Sequence, residues 1–116
     1  MGFILVLQTQ VNNEVINLQR LREMAYSVGW SPRAIADVDT IAGYISRDSA
    51  TYASTIVGKI LGETRNLSAF PRSGRVVPEF SDETIREKIV AGYRVIYRIE
   101  DEVVTIATVI HGRQVL

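Results

Sequence analysis

The sequence predicts an α+β fold in which an N-terminal helical hairpin packs on a twisted antiparallel β-sheet. Three observations predict it. Two consecutive stretches, from Ser31 and from Asp48, carry apolar residues at helical spacing and are separated by only a few residues. Three strand-like runs then follow with connections of two or three residues, too short for a parallel crossover. Each helix exposes an apolar stripe that needs cover, and the strands supply it.

The first 23 residues read differently from the rest. Phe3 to Leu7 is an apolar run, Gln8 to Asn13 is polar, and Val15, Leu18 and Leu21 make a weak helical pattern. Residues 1–23 therefore read as an N-terminal extension, the alternative being a short strand and helix added to the fold. Met24 is followed by the alternating stretch Ala25 to Trp30 and reads as the start of the domain (24–116) and a candidate initiation site.

Ser31 is placed to cap a helix with Pro32 at its first position, where the missing amide hydrogen costs nothing. Ile35, Val38, Ile41, Ala42 and Ile45 form its apolar face. Asp48 or Ser49 caps a second helix with an inner face of Ala53, Ile56, Val57, Ile60, Leu61, Thr64 and Leu67. Phe70 to Arg75 is a connector by its proline and glycine, and 76–83 is extended or looped. Ile85 to Val90 and Tyr93 to Ile99 flank Ala91-Gly92, which suits a tight hairpin. Val103 to Ile110 follows an acidic turn, is rich in β-branched residues and is apolar on both faces, so a central strand covered on both sides is expected.

With 116 residues, 47% hydrophobic and 22% charged, the chain is long enough for one domain with a real core. Thirteen basic residues balance thirteen acidic ones, six against six up to residue 66 and seven against seven after it. That argues against a nucleic-acid arm or a polybasic membrane patch. The absence of cysteine excludes disulfides, thiol catalysis and thiolate metal sites, and one histidine, His111, is too few for a histidine-based metal site. No cofactor is expected. The longest apolar run is five residues and no basic stretch precedes it, so a cytoplasmic protein with no membrane partner is expected. No Gly-x-Ser-x-Gly elbow accompanies His111, and Asp37 and Asp39 point to different sides of a helix, so neither a serine nucleophile nor a carboxylate pair is indicated.

What stands out is the basic and aromatic content of the strands: Arg86, Lys88, Tyr93, Arg94, Tyr97, Arg98, His111 and Arg113. A two-residue turn at Ala91-Gly92 sets Val90 opposite Tyr93, Lys88 opposite Val95, Arg86 opposite Tyr97 and Ile85 opposite Arg98. Arg94 and Arg98 then share a face with Glu87, while Arg86 and Lys88 lie with the tyrosines. Glu87 paired with Arg94 or Arg98 on an exposed face would be worth about 0.2–1 kcal/mol. Alternatively, arginines on a rigid sheet present fixed forks to phosphate or carboxylate, with His111 as a proton donor near neutrality.

At these residues the chain resembles the RelE/ParE superfamily of toxins from type II toxin–antitoxin systems. The match runs from Met24 to Leu116. It lies in Trp30-Ser31-Pro32-Arg33-Ala34, Phe70-Pro71-Arg72-Ser73-Gly74-Arg75, Val77-Pro78-Glu79, Ile85-Arg86-Glu87, Tyr93 to Ile99 and Val109-Ile110-His111-Gly112-Arg113. The resemblance implies two helices on an antiparallel sheet, and a toxin neutralised by a cognate antitoxin whose amphipathic segment folds on binding. The antitoxin-binding groove would include Ile35, Val38, Ile45, Ile56 and Ile60.

The superfamily divides by target. ParE-like members trap DNA gyrase on DNA and are associated with plasmid stabilization, and the segments from Phe70, Pro78, Ile85 and His111 are most similar to this branch. Arg94, Arg98, His111 and Arg113 are target-surface candidates, with no specific DNA binding by the toxin alone. RelE-like members cleave mRNA on the ribosome. Arg86, Lys88, Arg94 and Arg113 would be their catalytic set here, but only Gln114, Val115 and Leu116 follow Arg113, so the C-terminal tyrosine of that branch has no counterpart. A chain that has lost toxicity and survives as an antitoxin-binding partner is the third reading.

Overall fold

A computed structural model describes residues 25–116. The readings made for residues 1–23, and for Met24 as the first residue of the domain, lie outside the described residues. Strand β1 (Ser27–Trp30) leads into helix α1 (Pro32–Ser46) and helix α2 (Ala50–Asn66). Strands β2 (Arg75–Val76), β3 (Ile85–Val90), β4 (Tyr93–Glu100) and β5 (Val103–His111) complete the chain. They form one sheet in the order β1-β5-β4-β3-β2, so the predicted α+β layering is observed, with β5 inside the sheet. Contrary to expectation β5 is covered on one face only, Val104, Ile106 and Val109 being buried under the helices while Val103, Thr105 and Ala107 on the other face are exposed.

The sheet is mixed rather than wholly antiparallel. Strands β2 to β5 pair antiparallel, as their short connections require, but β1 runs parallel to β5, with Ser27 opposite Val103 and Trp30 opposite Ile106. The helical hairpin between them is the long crossover that parallel pairing needs. The β3–β4 register is the one that the two-residue turn dictates, from Ile85 opposite Arg98 to Val90 opposite Tyr93.

Local chemistry sets the helix ends. The Ser31 hydroxyl accepts from the Ala34 amide at 3.0 Å and donates to the Ala107 carbonyl at 2.8 Å, so one residue caps α1 and docks it on β5. A register shift in the β4–β5 ladder skips Ala107, and the Asp37 carboxylate accepts there from the Thr108 hydroxyl (2.6 Å) and the Val109 amide (3.0 Å). These anchors rotate α1 relative to its hydrophobic pattern. Ala34 is buried, Val38, Ile41 and Ile45 pack beside the core, and Ile35 is 57% exposed. Ser49 caps α2 by accepting from the Tyr52 amide. Ile56, Ile60 and Leu67 of this second helical segment meet Val95, Tyr97, Ile99, Val104, Ile106 and Val109 in the core between helices and sheet.

Both hairpin turns carry positive φ at both central residues, at Ala91 and Gly92 and at Asp101 and Glu102. Glycine alone adopts that backbone freely, so Glu102→Gly is expected to stabilise the protein by about 0.5–1 kcal/mol, read as a higher urea midpoint at unchanged slope.

Candidate functional site

The basic residues of the strands divide between two faces. On the helix-covered face, Arg86 donates to the carbonyls of Glu83 (2.9 Å), Gly74 (3.0 Å) and Arg72 (3.4 Å). Its guanidinium ties the connector from Phe70 to Arg75 down onto β3. Beside it the Lys88 ammonium pairs with Glu63 of α2 at 3.0 Å. The Tyr97 hydroxyl belongs to the same construction. It donates to the Pro71 carbonyl at 2.7 Å and accepts from the Gly74 amide at 3.0 Å, in a ring that is fully buried. Burial raises its pKa, so the phenol stays protonated and remains a donor. Gly74 has no room for a side chain, since a Cβ would lie 2.5 Å from the Glu87 carbonyl oxygen and 2.6 Å from the Tyr97 oxygen.

The open face holds a net-neutral cluster of four charges. Arg94 is 5% exposed and Glu87 1%. Arg94 Nε donates to Glu87 Oε1 at 2.6 Å, and its two Nη atoms fork onto the two Glu79 oxygens at 2.8 Å each. Arg94 Nη1 also donates to the Gln114 carbonyl at 2.8 Å. Arg75 closes the chain of charges on Glu87 Oε2 at 2.7 Å. The two carboxylates raise the Arg94 pKa further, against its own desolvation. No buried side-chain donor or acceptor lacks a partner among the described residues.

Glu79 is held at about 2, first by the hydrogen bonds from Arg94 and then by the Leu116 amide, which donates to it at 3.2 Å. Asp82 is lowered in the same direction by the hydroxyl and amide of Thr84. A lowered folded-state pKa means that the unfolded chain binds protons first as the pH falls. The stability these carboxylates supply is fully present above about pH 4.5, the ordinary glutamate value, and is lost between there and about pH 2. Acid titration followed by circular dichroism is expected to show this window, and Glu79→Gln is expected to flatten it.

Beside the cluster lies a cleft of about 640 Å³ with Phe80, Ile85, Ile96 and Leu116 in its walls and Arg33 and Arg98 among its lining cations. Arg98, His111 and Arg113 are exposed. The His111 ring stands edge-on to Tyr93 with centroids 5.9 Å apart, and its Nδ1 accepts from the Arg113 amide at 3.2 Å. Residues 112–116 run irregularly from the end of β5 to the cluster. Gly112 is required there, because a Cβ would sit 2.7 Å from the Gly92 carbonyl oxygen.

The sequence-predicted site residues are thus dispersed. Of the basic set Arg86, Lys88, Arg94 and Arg113, the first three are engaged internally and only Arg113 projects into solvent. Arg94, proposed from sequence as a target contact, is sealed beneath Glu79 and Gln114. In the predicted helical groove, Ile56 and Ile60 are 2% and 0% exposed and belong to the core. The groove between α1 and α2 is lined instead by Ala42, Gly43, Ala53, Val57, Gly58 and Leu61. Sequence reasoning assigned no role to Glu79, Arg75 or the Tyr97 hydroxyl. Glu79 stands 15 residues from Arg94, and no periodicity connects a loop residue to a strand at that distance.

Comparison with known proteins places this arrangement among relatives. A family model described as the ParE toxin of the type II toxin–antitoxin system parDE matches residues 28–116. The protein named "Putative toxin Y4kP" of Sinorhizobium fredii is 35% identical over 89 residues, spanning 75% of this chain and 88% of that protein. A solved structure titled "Chromosomal ParDE TA system from P. aeruginosa" has a similar fold, with a TM-score of 0.63 at 19% identity over 76% of this chain and 97% of that one.

Proposed function

Because this chain belongs to the ParE family of toxins from type II toxin–antitoxin systems, we propose that it arrests growth by binding DNA gyrase and is neutralised by a cognate antitoxin. The observation that carries this reading is the internal engagement of three strand cations, Arg86, Lys88 and Arg94. Cleaving RNA requires basic groups free to take a proton from a 2′-hydroxyl and to face a phosphate. Arg86 is bound to loop carbonyls, Lys88 to Glu63, and Arg94 to two carboxylates and a carbonyl. With these three cations holding the fold, binding is the mode of action that the geometry supports.

The antitoxin reading is supported by the helical hairpin. Its outer groove is apolar through Ala42, Val57 and Leu61, and exposed Tyr44 and Tyr52 lie on the two helices. An amphipathic segment laid along it would bury the apolar surface that the sheet leaves uncovered. Among the described residues no helix is long and apolar enough to cross a membrane, and a gyrase-binding toxin acts in the cytoplasm.

The test is controlled induction of the full chain in bacteria without antitoxin, with pulse-labelled DNA and protein synthesis followed side by side. DNA synthesis is expected to stop first, with a DNA-damage response. Translation stopping first would overturn the reading in favour of mRNA cleavage. A folded protein without effect on either would overturn it in favour of an inactive antitoxin-binding partner.

A further inference from the structure

We infer that the apolar run from Phe3 to Leu7 seats in the cleft on the open face of the sheet, so that the toxin carries its own cover for that cleft. Target binding and neutralisation leave two features of the chain without a role. One is the run itself, five apolar residues within an opening stretch of thirteen that holds no charged side chain. The family match begins only at residue 28, so the run belongs to a part of the chain that the family does not account for. The other is the cleft of about 640 Å³, walled by Phe80, Ile85, Ile96 and Leu116 and lined by Thr105 and Ala107 of β5. Phe80 is 51% exposed and Leu116 45%. An apolar run and an apolar cleft both leave water when they meet.

The place where the segment joins the fold brings the two together. The Tyr26 amide donates to the Ser68 carbonyl at 3.0 Å, and the Ser68 hydroxyl donates to the Tyr26 carbonyl at 2.7 Å, which fixes the chain just before β1. Among the described residues β5 is the sole neighbour of β1 in the sheet, and the open face of β5 forms part of the cleft. Val28 and Trp30 pack toward the core, so the small residues Ser27 and Gly29 face the open side. Gly29 stands opposite Thr105, and a Cβ there would meet no described atom within 4 Å. The way from the start of β1 to the cleft is therefore clear of bulky side chains. Residues 8–24 number seventeen, and at about 3.3 Å each they reach up to about 56 Å. Ala25 and Thr105 are separated by no more than four residues of strand and one strand spacing, about 18 Å. A tether of this length holds the run near the cleft at an effective concentration on the order of millimolar, which favours it over a second copy of the chain. The groove between α1 and α2 is the surface proposed above for the antitoxin, so the run and the antitoxin do not compete.

The chain has no cysteine, so one introduced thiol gives one attachment point. The full chain carrying a nitroxide label on Gln8→Cys is compared by amide NMR with the same chain bearing in addition Leu5→Asp or Thr105→Lys. The label alone is expected to weaken the amide signals of Gly29, Phe80, Thr105 and Ala107 selectively. The signals are expected to recover with Leu5→Asp, which sets a charge in the run, and with Thr105→Lys, which fills the cleft from an exposed position. Leu5→Asp leaves every residue of the described fold as it is, so recovery in that variant reports on the run itself. When label and isotope are placed on different molecules and mixed, the weakening is expected to vanish. Weakening that persists in the mixture would overturn the inference in favour of a second copy as the occupant, and weakening confined to Ala42, Val57 and Leu61 would overturn it in favour of the helical groove. No weakening, an even one over the whole surface, or one that survives Leu5→Asp would overturn it outright.

Discussion

Arg94→Ala is expected to cost about 3–5 kcal/mol and to lower the melting temperature by more than about 10 °C. The substitution strips the central cation from a cluster in which Glu87 is fully covered, and an uncompensated buried carboxylate is among the most damaging single changes. Arg75 still faces Glu87, but its own side chain is 62% exposed and it reaches only Oε2. Glu79 and the Gln114 carbonyl lose their donor at the same time. Set against a total stability of about 5–15 kcal/mol for a domain of this size, the loss takes a large share. Arg94→Lys is expected to fail in the same direction, because a point charge cannot reproduce the fork on Glu79 together with the Nε bond to Glu87. The paired change Arg94→Met with Glu87→Leu is expected to cost less than Arg94→Ala alone, since it removes the charges together. Urea denaturation of the three variants checks this, and a loss below about 1 kcal/mol for Arg94→Ala would show that the cluster is not what holds the open face. A loss of toxicity in Arg94→Ala would therefore report on folding before it reported on a catalytic role.

Tyr97→Phe is expected to cost about 2 kcal/mol although it removes a single oxygen. That oxygen serves the Pro71 carbonyl and the Gly74 amide at once, and groups left buried without partners bear the full desolvation penalty. For a domain of this size the melting temperature is expected to fall by about 10 °C. Tyr93→Phe is the matching control. The Tyr93 hydroxyl makes no hydrogen bond with the described residues, and its loss is expected to stay within about 0.5 kcal/mol. Equal melting of the two variants would contradict the account of the connector.

The elements legible in the sequence were those specified locally. Ala91-Gly92 permits a two-residue turn, and once that turn is set every β3–β4 pair follows, including the placement of Glu87 on one face with Arg94. Ser31-Pro32 and Ser49 mark helix starts by their own chemistry. Burial of the Glu87–Arg94 pair was not legible, because its cover comes from Glu79 and from Gln114, on segments remote from the hairpin turn. The rotation of α1 was hidden for a similar reason. Ile35 has the better hydrophobic credentials, but Ser31 and Asp37 bond to β5 and turn Ala34 inward instead. The parallel pairing of β1 with β5 joins Ser27 to Val103 across most of the domain, beyond the reach of any turn signal. The basic residues were found as a set, and the family resemblance suggested what free ones would do. Which of them remain free was decided by carbonyls and carboxylates that only the fold brings near.

The central claim, that this fold spends Arg86, Lys88 and Arg94 on itself and acts by binding, is tested most directly with purified components. The full chain is added to gyrase with supercoiled plasmid and, separately, to ribosomes programmed with mRNA. The expected result is an accumulation of gyrase-dependent broken plasmid, with the mRNA intact. Cleaved mRNA beside unaffected gyrase would contradict the account.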